Sequence, residues 1–178
     1  MSAIVLTWNP RRWSFDENER ADQKEQTESG RLTAQEWSVG RRRTVPERQR
    51  AFLLRQGDEP RGIVASGWTG PMVPVSDAVT DGDATARYVE VSWDYVVDED
   101  EPLPTTMLIE QVPGVSWNSL RQSGTEIPES AVAALEPLWL SHVQTAAPRH
   151  ERRISRWRRE RAHSKLGVSP SSASAERS

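Results

Sequence analysis

Residues 51–68, AFLLRQGDEPRGIVASGW, constrain the fold more than any other part of the sequence. Two apolar runs, residues 51–54 and 63–65, flank a cluster of turn-forming residues at 56–60. Apolar strand-forming residues on either side of a Gly/Asp/Pro loop are typical of a β-hairpin. The stretch is the longest low-charge segment outside the C-terminal third. We therefore expect this hairpin at the centre of a β-sheet.

The remaining pattern predicts a mixed architecture. Residues 3–7 form a short apolar strand, and residues 87–94 alternate as a half-buried strand does. A wholly polar segment predicts a surface helix over residues 16–28, and a helical apolar spacing predicts a closing helix from 127 to 143. Strands and helices do not alternate as in a parallel α/β sheet. An α+β domain built around a small, strongly bent barrel with flanking helices fits better.

Three local details complete these expectations. Pro137 should kink the closing helix or split it in two, because proline removes an interior hydrogen bond. Residues 115–124 are polar around one tryptophan and predict an exposed loop, and residues 107–109 are a short apolar piece.

The charge distribution separates a body from a tail. Residues 1–148 hold 14 Lys/Arg against 23 Asp/Glu, whereas residues 149–178 hold nine against three. We expect one domain over residues 1–147 and a basic, Ser/Ala-rich tail over 148–178. The tail should be partly helical around 149–165 and disordered from Ser169. A basic tail is either a nucleic-acid arm or a solvated terminus.

Several classes of protein are disfavoured. The sequence lacks cysteine, a signal-peptide pattern and an apolar run near the roughly 20 residues of a membrane span, which predicts a cytoplasmic, non-membrane protein. No histidine precedes His142, and no glycine-rich phosphate loop occurs. Carboxylates at Asp94 and 98–101 are typical of a solvated turn, with a metal site as the alternative. We expect no catalytic residues, cofactor or metal.

Tryptophan is the unusual residue type, because the chain has eight of them against two Phe and two Tyr. Tryptophan supplies a large flat apolar face and one N–H donor. A chain rich in it has either a bulky core or a pocket for a planar ligand. Trp93 and Trp139 sit in periodic patterns that indicate core positions.

Two tryptophans are followed by a small polar side chain. Trp37-Ser38 combines a ring with a hydroxyl, which together can stack a base and bind its edge. Trp8-Asn9 ends the first strand with a ring and an amide. The alternative is that both rings are core residues, with Asn9 capping the turn that follows.

Two further candidates lie later in the chain. Trp117-Asn118 stands in a polar loop, where a core role explains an aromatic ring less easily, so loop anchoring or ligand contact is favoured. Trp68 follows Ser66-Gly67 and either continues an apolar strand into the core or reaches the site. Arg55 leaves the first hairpin strand at the turn, where it reaches the barrel mouth or pairs with an acidic residue at 58 or 59.

Six motifs in this order resemble a known family: TWNP at 7–10, WS-x-G at 37–40, FLLRQG at 52–57, PRGIVASGW at 60–68, YVEVSWD at 88–94 and a W-N…SG loop at 117–124. Residues 3–145 look like the EVE-like domain of the PUA superfamily. They are similar to the N-terminal domains of bacterial modification-dependent HNH restriction endonucleases.

The resemblance implies a PUA-like β-barrel that takes a flipped, modified nucleobase, such as a methylated cytosine or adenine, into an aromatic pocket. By position, the resemblance places these residues in or near the pocket: Trp37, Ser38, Trp8, Asn9, Trp68, Trp117 and Asn118. Phosphate contacts are expected from Arg41, Arg42, Arg43, Arg55 and Arg121. Modified duplex DNA is the expected partner. An RNA reader and a non-catalytic protein-interaction domain are the alternatives.

The sequence departs from the family in two places. Relatives have a Gly-Asp-Arg-like turn before FLLRQG, where this chain has PERQR at 46–50. The segment after residue 145 does not supply the combination of His, Asn and usually cysteine residues that an HNH nuclease needs. Two interpretations stay open: a truncated homologue, and a reader whose nuclease acts in trans in restriction or defence.

Overall fold

The computed structural model describes residues 1–74 and 86–146, which contain one seven-stranded sheet and three α-helices. The strands are β1 (Ala3–Trp8), β2 (Thr33–Ser38), β3 (Arg50–Arg55), β4 (Gly62–Met72), β5 (Tyr88–Val96), β6 (Leu103–Pro104) and β7 (Thr125–Ile127). The helices are α1 (Glu17–Glu28), α2 (Thr105–Gln111) and α3 (residues 129–146), and a single 3-10 turn covers Trp117–Ser119. The fold is therefore mixed α+β, as predicted.

The hairpin predicted at residues 51–68 lies in the middle of the sheet. Strand order is β2-β5-β4-β3-β1-β7, with β6 beside the start of β4. β3 and β4 pair antiparallel with Phe52 opposite Ser66, and β1 lies parallel to β3 with Val5 opposite Phe52. Parallel pairing brings the carboxyl ends of β1 and β3 to the same edge of the sheet. The predicted hairpin is confirmed.

The sheet does not close into a barrel. Over the described residues no strand pairing joins β2 to β7, the two outer strands, so the predicted barrel is not confirmed. The segments beside these strands nevertheless meet at one end. The Ser123 hydroxyl donates to the Ser38 carbonyl at 2.5 Å, and the Arg42 guanidinium donates to the Gly124 carbonyl at 2.9 Å. The sheet is thus bent far enough for its outer strands to be linked by side chains.

The core lies on both faces of the central hairpin. Trp93 and Trp139 are each 1% exposed, which confirms their predicted core positions. The indole N–H of Trp139 donates to the Ser66 hydroxyl at 2.7 Å and so attaches α3 to β4. Burying the large apolar ring of Trp139 adds to the stability of this attachment.

The helix predicted over residues 16–28 is present on the surface, and its packed side is formed by polar residues. Asp16 caps it by accepting from the backbone N–H groups of Asn18 and Glu19. The helix packs on β5 through polar side chains. Arg20 donates to the Val97 carbonyl at 3.2 Å, and Lys24 pairs with Asp98 at 2.5 Å. The surface prediction is confirmed, since seven of the twelve helix residues are exposed, and long polar stems cover the sheet on the packed side while their charged ends find partners.

Other local predictions concern Pro137 and the segments around residues 107 and 117. The last helix runs through Pro137 as one segment and is not split there, with Leu135 and Trp139 buried on either side of the proline. Burial of these two side chains stabilises the helix despite the hydrogen bond that proline removes. Trp117 is 2% exposed, as its predicted loop-anchoring role requires, while Asn118 and Ser119 beside it are exposed. The apolar piece at 107–109 lies within α2.

Residues Met1–Val143 form one compact unit, which contains the site described below. Within the described residues no helix is long and apolar enough to cross a membrane. The predictions for the basic helix at 149–165 and for the end from Ser169 lie outside the described residues.

Candidate functional site

A pocket of about 760 Å³ opens where β1, β2 and β3 end. The parallel register of β1 and β3 sets Trp8 opposite Arg55 at this edge, and β2 ends there with Trp37 and Ser38. The lining is aromatic, basic and polar. Its rings are Trp8, Trp13, Trp37, Tyr88 and Trp117, its cations are Arg12, Arg55, Arg61 and Arg121, and its other polar residues include Asn9, Glu36, Ser38, Gln56 and Asn118.

Most of the site residues expected from the sequence meet at this pocket. The three pairs Trp8-Asn9, Trp37-Ser38 and Trp117-Asn118 line it, although the pairs are far apart in the chain. Arg55 and Arg121 line it as well. Trp68 and the arginines at 41–43 are not among the lining residues.

Trp68 lies over Arg50 on the outer part of the hairpin. The two residues are opposite each other in the β3–β4 register, and the guanidinium is 5.0 Å from the ring centroid. Arg50 is itself paired with Asp94 at 2.7 Å and with Glu136 at 2.6 Å. Burial alone would lower the pKa of Arg50, but its hydrogen bonds to these carboxylates and their charge raise the pKa above its ordinary value. Trp68 therefore belongs to a network that joins the hairpin to α3.

The three consecutive arginines follow β2 and do not act alike. Arg42 pairs with Glu126 at 2.8 Å and donates to the Gly124 carbonyl. It therefore holds the segment after β2 against β7. Arg41 and Arg43 are exposed, and their side chains make no hydrogen bond or ion pair among the described residues.

Three of the pocket tryptophans are buried and have satisfied indole N–H groups. Trp8, Trp37 and Trp117 are 3%, 5% and 2% exposed. The indole N–H of Trp8 donates to the Trp13 carbonyl at 2.8 Å. That of Trp37 donates to the Thr7 carbonyl at 3.3 Å, and that of Trp117 donates to the Val112 carbonyl at 3.0 Å. These residues contribute apolar surface to the pocket, and their N–H groups are committed to the fold.

Trp13 was not predicted as a site residue, yet it is the most exposed tryptophan of the pocket, at 50%. Its ring centroid lies 5.3 Å from that of Trp37 and 4.6 Å from that of Phe15. The sequence did carry a signal, because Trp13 follows Arg11-Arg12 in a polar segment outside any periodic pattern. Like Trp117, Trp13 is an aromatic residue in a polar segment, where a core role explains the ring less easily. Ten other lining residues were also missed, and those with a charged, amide or aromatic side chain are Arg12, Glu36, Gln56, Arg61 and Tyr88.

Hydrogen bonds fix the turn that carries Trp13. Asn9 accepts the Arg11 N–H on its side-chain oxygen at 3.0 Å, which is the turn-capping role stated as the alternative for this residue. The Asn9 carbonyl accepts the N–H groups of Arg12 and Trp13 at 3.0 and 3.2 Å. The turn therefore presents one arginine and one tryptophan at the rim of the pocket.

The hairpin turn forms another wall. Arg55 donates to the backbone carbonyls of Asp58 and Pro60, so it pairs with neither acidic residue at 58 and 59 and instead holds the turn closed. The Gln56 side chain donates to the Leu120 carbonyl and thereby connects this turn to the loop that carries Trp117. Asp58 pairs with Arg11 at 2.7 Å, which joins the hairpin turn to the turn after β1.

The charged side chains that line the pocket are mostly positive. Four arginines line it, and Glu36 is the one carboxylate among the lining residues. Arg61 is paired with Glu59 at 3.0 Å. Arg12 and Arg121 are exposed and make no ion pair within the described part of the chain, so their charges are available to an anion.

Arginines also flank the ring of Trp8. The guanidinium of Arg20 lies 5.4 Å from the Trp8 centroid, and that of Arg55 lies 5.8 Å from it. Burial lowers the pKa of Arg20 to about 10, while the charges of Glu99 and Asp98 raise it. The electron density of this ring already interacts with cations of the protein. A further cation–π contact of this ring with a cationic ligand would therefore be weak.

Other candidate chemistry is accounted for by packing. His142 stacks on Trp139, with ring centroids 5.9 Å apart, and contacts the Glu101 carbonyl at 2.9 Å. No cluster of three or more metal-ligating side chains occurs within residues 1–74 and 86–146.

No family model and no curated protein matches this chain. A crystal structure of the protein PSPTO5229 from Pseudomonas syringae is similar to it, with a TM-score of 0.50 and 14% sequence identity. The similarity covers 75% of this chain and 97% of that protein. At this identity the likeness concerns the fold alone.

Proposed function

We propose that this chain is a nucleic-acid-binding module that accepts an extruded, modified base of duplex DNA in the pocket at the ends of β1, β2 and β3. The observation that carries the proposal is the combination, in one pocket of about 760 Å³, of five aromatic rings with four arginines and a single carboxylate. A nucleotide joins a planar, partly apolar base to an anionic phosphate, and it matches both parts of this lining.

The charges argue against the other common use of an aromatic cage, which is to bind a methylated ammonium group. A cation would enter a pocket with four arginines and would meet a Trp8 ring already flanked by Arg20 and Arg55. A neutral ring with a phosphate attached suffers no such repulsion. The lining thus favours a nucleotide over a methyl-lysine peptide.

The energetics are consistent with a modest but selective reader. Extruding a base from a duplex costs a few kcal/mol, and stacking on an aromatic side chain returns about 1–3 kcal/mol per base. Each buried methyl carbon adds about 0.8 kcal/mol. One pocket therefore cannot hold a duplex tightly alone, and phosphate contacts are required. Arg12 and Arg121 at the rim are the unpaired cations that supply them.

The proposal also places the chain with the EVE-like domains of the PUA superfamily. Its support is the order of the sequence motifs together with the bent sheet, whose outer strands β2 and β7 are linked through Ser38 and Ser123. In this setting the protein is a cytoplasmic reader in restriction or defence, and the cleavage step belongs to a nuclease, which is either a further part of a longer chain or a partner in trans.

The test is a comparison of labelled 20-base-pair duplexes that differ only at one base: unmodified, 5-methylcytosine or N6-methyladenine. Fluorescence anisotropy should show at least tenfold tighter binding of one modified duplex by the wild type. Trp37→Ala should lose this preference, and Trp68→Ala, outside the pocket, should retain it. A 2-aminopurine beside the modified base should brighten on binding, because extrusion unstacks it.

Three results would overturn the proposal. Equal affinity for all duplexes would show that the protein does not recognise the modified base. Tighter binding of a matched single-stranded RNA would assign the pocket to RNA instead. No binding of any nucleic acid would leave the protein-interaction domain as the function.

A further inference from the structure

Trp37, the ring expected to stack on the base, has almost no free surface. It is 5% exposed. Phe15 stacks on it, with ring centroids 5.4 Å apart and an interplanar angle of 24°. The Trp13 ring makes an edge contact with it at a centroid distance of 5.3 Å and an interplanar angle of 70°, and the Trp93 ring does so at 6.3 Å and 78°. Stacking requires a free ring face with centroids about 4.5–7 Å apart. A base can therefore stack on Trp37 only if one of these neighbours moves.

Two of the three neighbours are held in place. Trp93 is 1% exposed, and its indole N–H donates to the Gln35 side chain at 3.0 Å. Phe15 is buried, packs edge-on against Trp8 at 4.8 Å and lies under the Arg20 guanidinium at 4.9 Å. Displacing either ring would open the core.

Trp13 is the neighbour that can move. Half of its side chain is exposed, and its indole N–H has no hydrogen-bond partner among the described residues. Exposed side chains change rotamer within picoseconds to nanoseconds. Its backbone is fixed, because its N–H donates to Asn9 and its carbonyl accepts the Trp8 indole N–H at 2.8 Å. Movement is thus limited to rotation of the ring about a fixed point on the rim.

We propose that Trp13 is a side-chain lid over Trp37. The ring covers Trp37 in the free protein, rotates outward to admit a planar ligand and then packs against that ligand as its outer wall. This inference rests on the proposed function for the identity of the ligand, an extruded base. The covering of Trp37 does not depend on the ligand.

The covering is tested without ligand by 19F NMR of the full chain labelled with 5-fluorotryptophan, with resonances assigned through Trp13→Phe and Trp37→Phe. In Trp13→Ala the Trp37 resonance should shift, and its H₂O/D₂O solvent isotope shift should increase as the ring becomes accessible. An unchanged Trp37 solvent shift in a folded Trp13→Ala protein would overturn the lid, whatever the protein binds.

The closing step is tested by stopped-flow kinetics with the modified duplex that the wild type prefers. Trp13→Ala should associate at least as fast as the wild type and dissociate at least tenfold faster, while Trp13→Phe should stay within about threefold in both rates. An unchanged dissociation rate, or a loss of affinity that comes from slower association, would overturn the lid. Failure of the wild type to prefer any modified duplex would instead count against the proposed function, and the 19F result would still decide the covering.

Discussion

The hydroxyl of Ser123 donates a 2.5 Å hydrogen bond to the backbone carbonyl of Ser38. The hydroxyl oxygen of Ser123 also accepts the Thr7 N–H at 3.1 Å. One side chain thereby links the segment before β7 to the ends of β1 and β2, which are not neighbours in the sheet. Close packing supports this junction, since a Cβ on Gly124 would lie 2.8 Å from the Val39 carbonyl oxygen.

Removing this link should loosen the pocket. Ser123→Ala leaves a carbonyl and an amide without their partner, so the free energy of unfolding should fall by about 1–3 kcal/mol in urea titrations. Ser119→Ala is the control, because its hydroxyl makes only an exposed 3.2 Å bond to Ser116, and it should change stability by less than about 0.5 kcal/mol. Equal stability of both variants would show that the link contributes nothing.

The two rim arginines should carry the salt dependence of binding. Arg12→Gln and Arg121→Gln should each weaken binding similarly for all duplexes and should each reduce the slope of log K against log[salt] by about 1. Arg43→Gln tests one of the predicted phosphate contacts that lie outside the pocket lining. Arg43 follows β2 and does not line the pocket. We therefore expect the slope of log K against log[salt] for Arg43→Gln to match that of the wild type. A larger effect at Arg43 than at Arg12 would move the phosphate path away from the pocket rim.

Arg20 should be replaceable by an apolar residue of similar shape. It is buried, its Nε has no hydrogen-bond partner, and it packs against Trp8 and Phe15. Replacing a buried ion pair by apolar groups of like volume is often neutral or stabilising, and Arg20 forms no ion pair among the described residues, so its replacement leaves no carboxylate without its partner. Arg20→Met should therefore match or exceed the wild-type free energy of unfolding, whereas Arg20→Ala should lose about 2–4 kcal/mol through a cavity. A comparable loss in both variants would mean that the charge itself stabilises the fold.

The lowered pKa of Arg20 gives this comparison a pH dependence. Because its folded pKa of about 10 lies well below the ordinary value of an arginine, the unfolded chain binds more protons than the folded chain above pH 10. Stability of the wild type should then rise with pH relative to Arg20→Met between pH 10 and 11. Urea titrations of both proteins at pH 8, 10 and 11 measure the difference, and a constant difference would contradict the lowered pKa.

Local patterns were enough to predict the parts of the fold that depend on neighbours in the chain. The hairpin at 51–68 and the strand at 87–94 carry their own turn residues and periodicity, and both are present. The packing of α1 could not be predicted in this way. It depends on contacts such as Arg20 with the Val97 carbonyl and Lys24 with Asp98, which are more than 70 residues apart. No window of sequence contains both partners.

In the site, too, local sequence patterns predicted some residues, whereas the positions of others depend on contacts that no local pattern shows. Trp8, Trp37 and Trp117 were predicted from the polar residues beside them, and they meet at the pocket. Trp13 was missed because its position depends on the turn closed by the Asn9 carbonyl. Trp68 was expected near the pocket, but the face of β4 on which it lies is set by pairing with β5. That pairing changes register between Ser66 and Gly67, and a one-residue shift moves a side chain to the other face.

Trp68 therefore offers a test that separates stability from binding. Its ring is 37% exposed and covers the Arg50 guanidinium, which is held by Asp94 and Glu136. Trp68→Ala should lower the free energy of unfolding by about 1–2 kcal/mol, because it removes a cation–π contact and partly buried apolar area. Its affinity for modified duplex should stay within about twofold of the wild type, whereas Trp37→Ala should lose the preference for the modified base. Loss of that preference in a folded Trp68→Ala protein would place the reading surface on the outer face of the hairpin instead of at the ends of β1, β2 and β3.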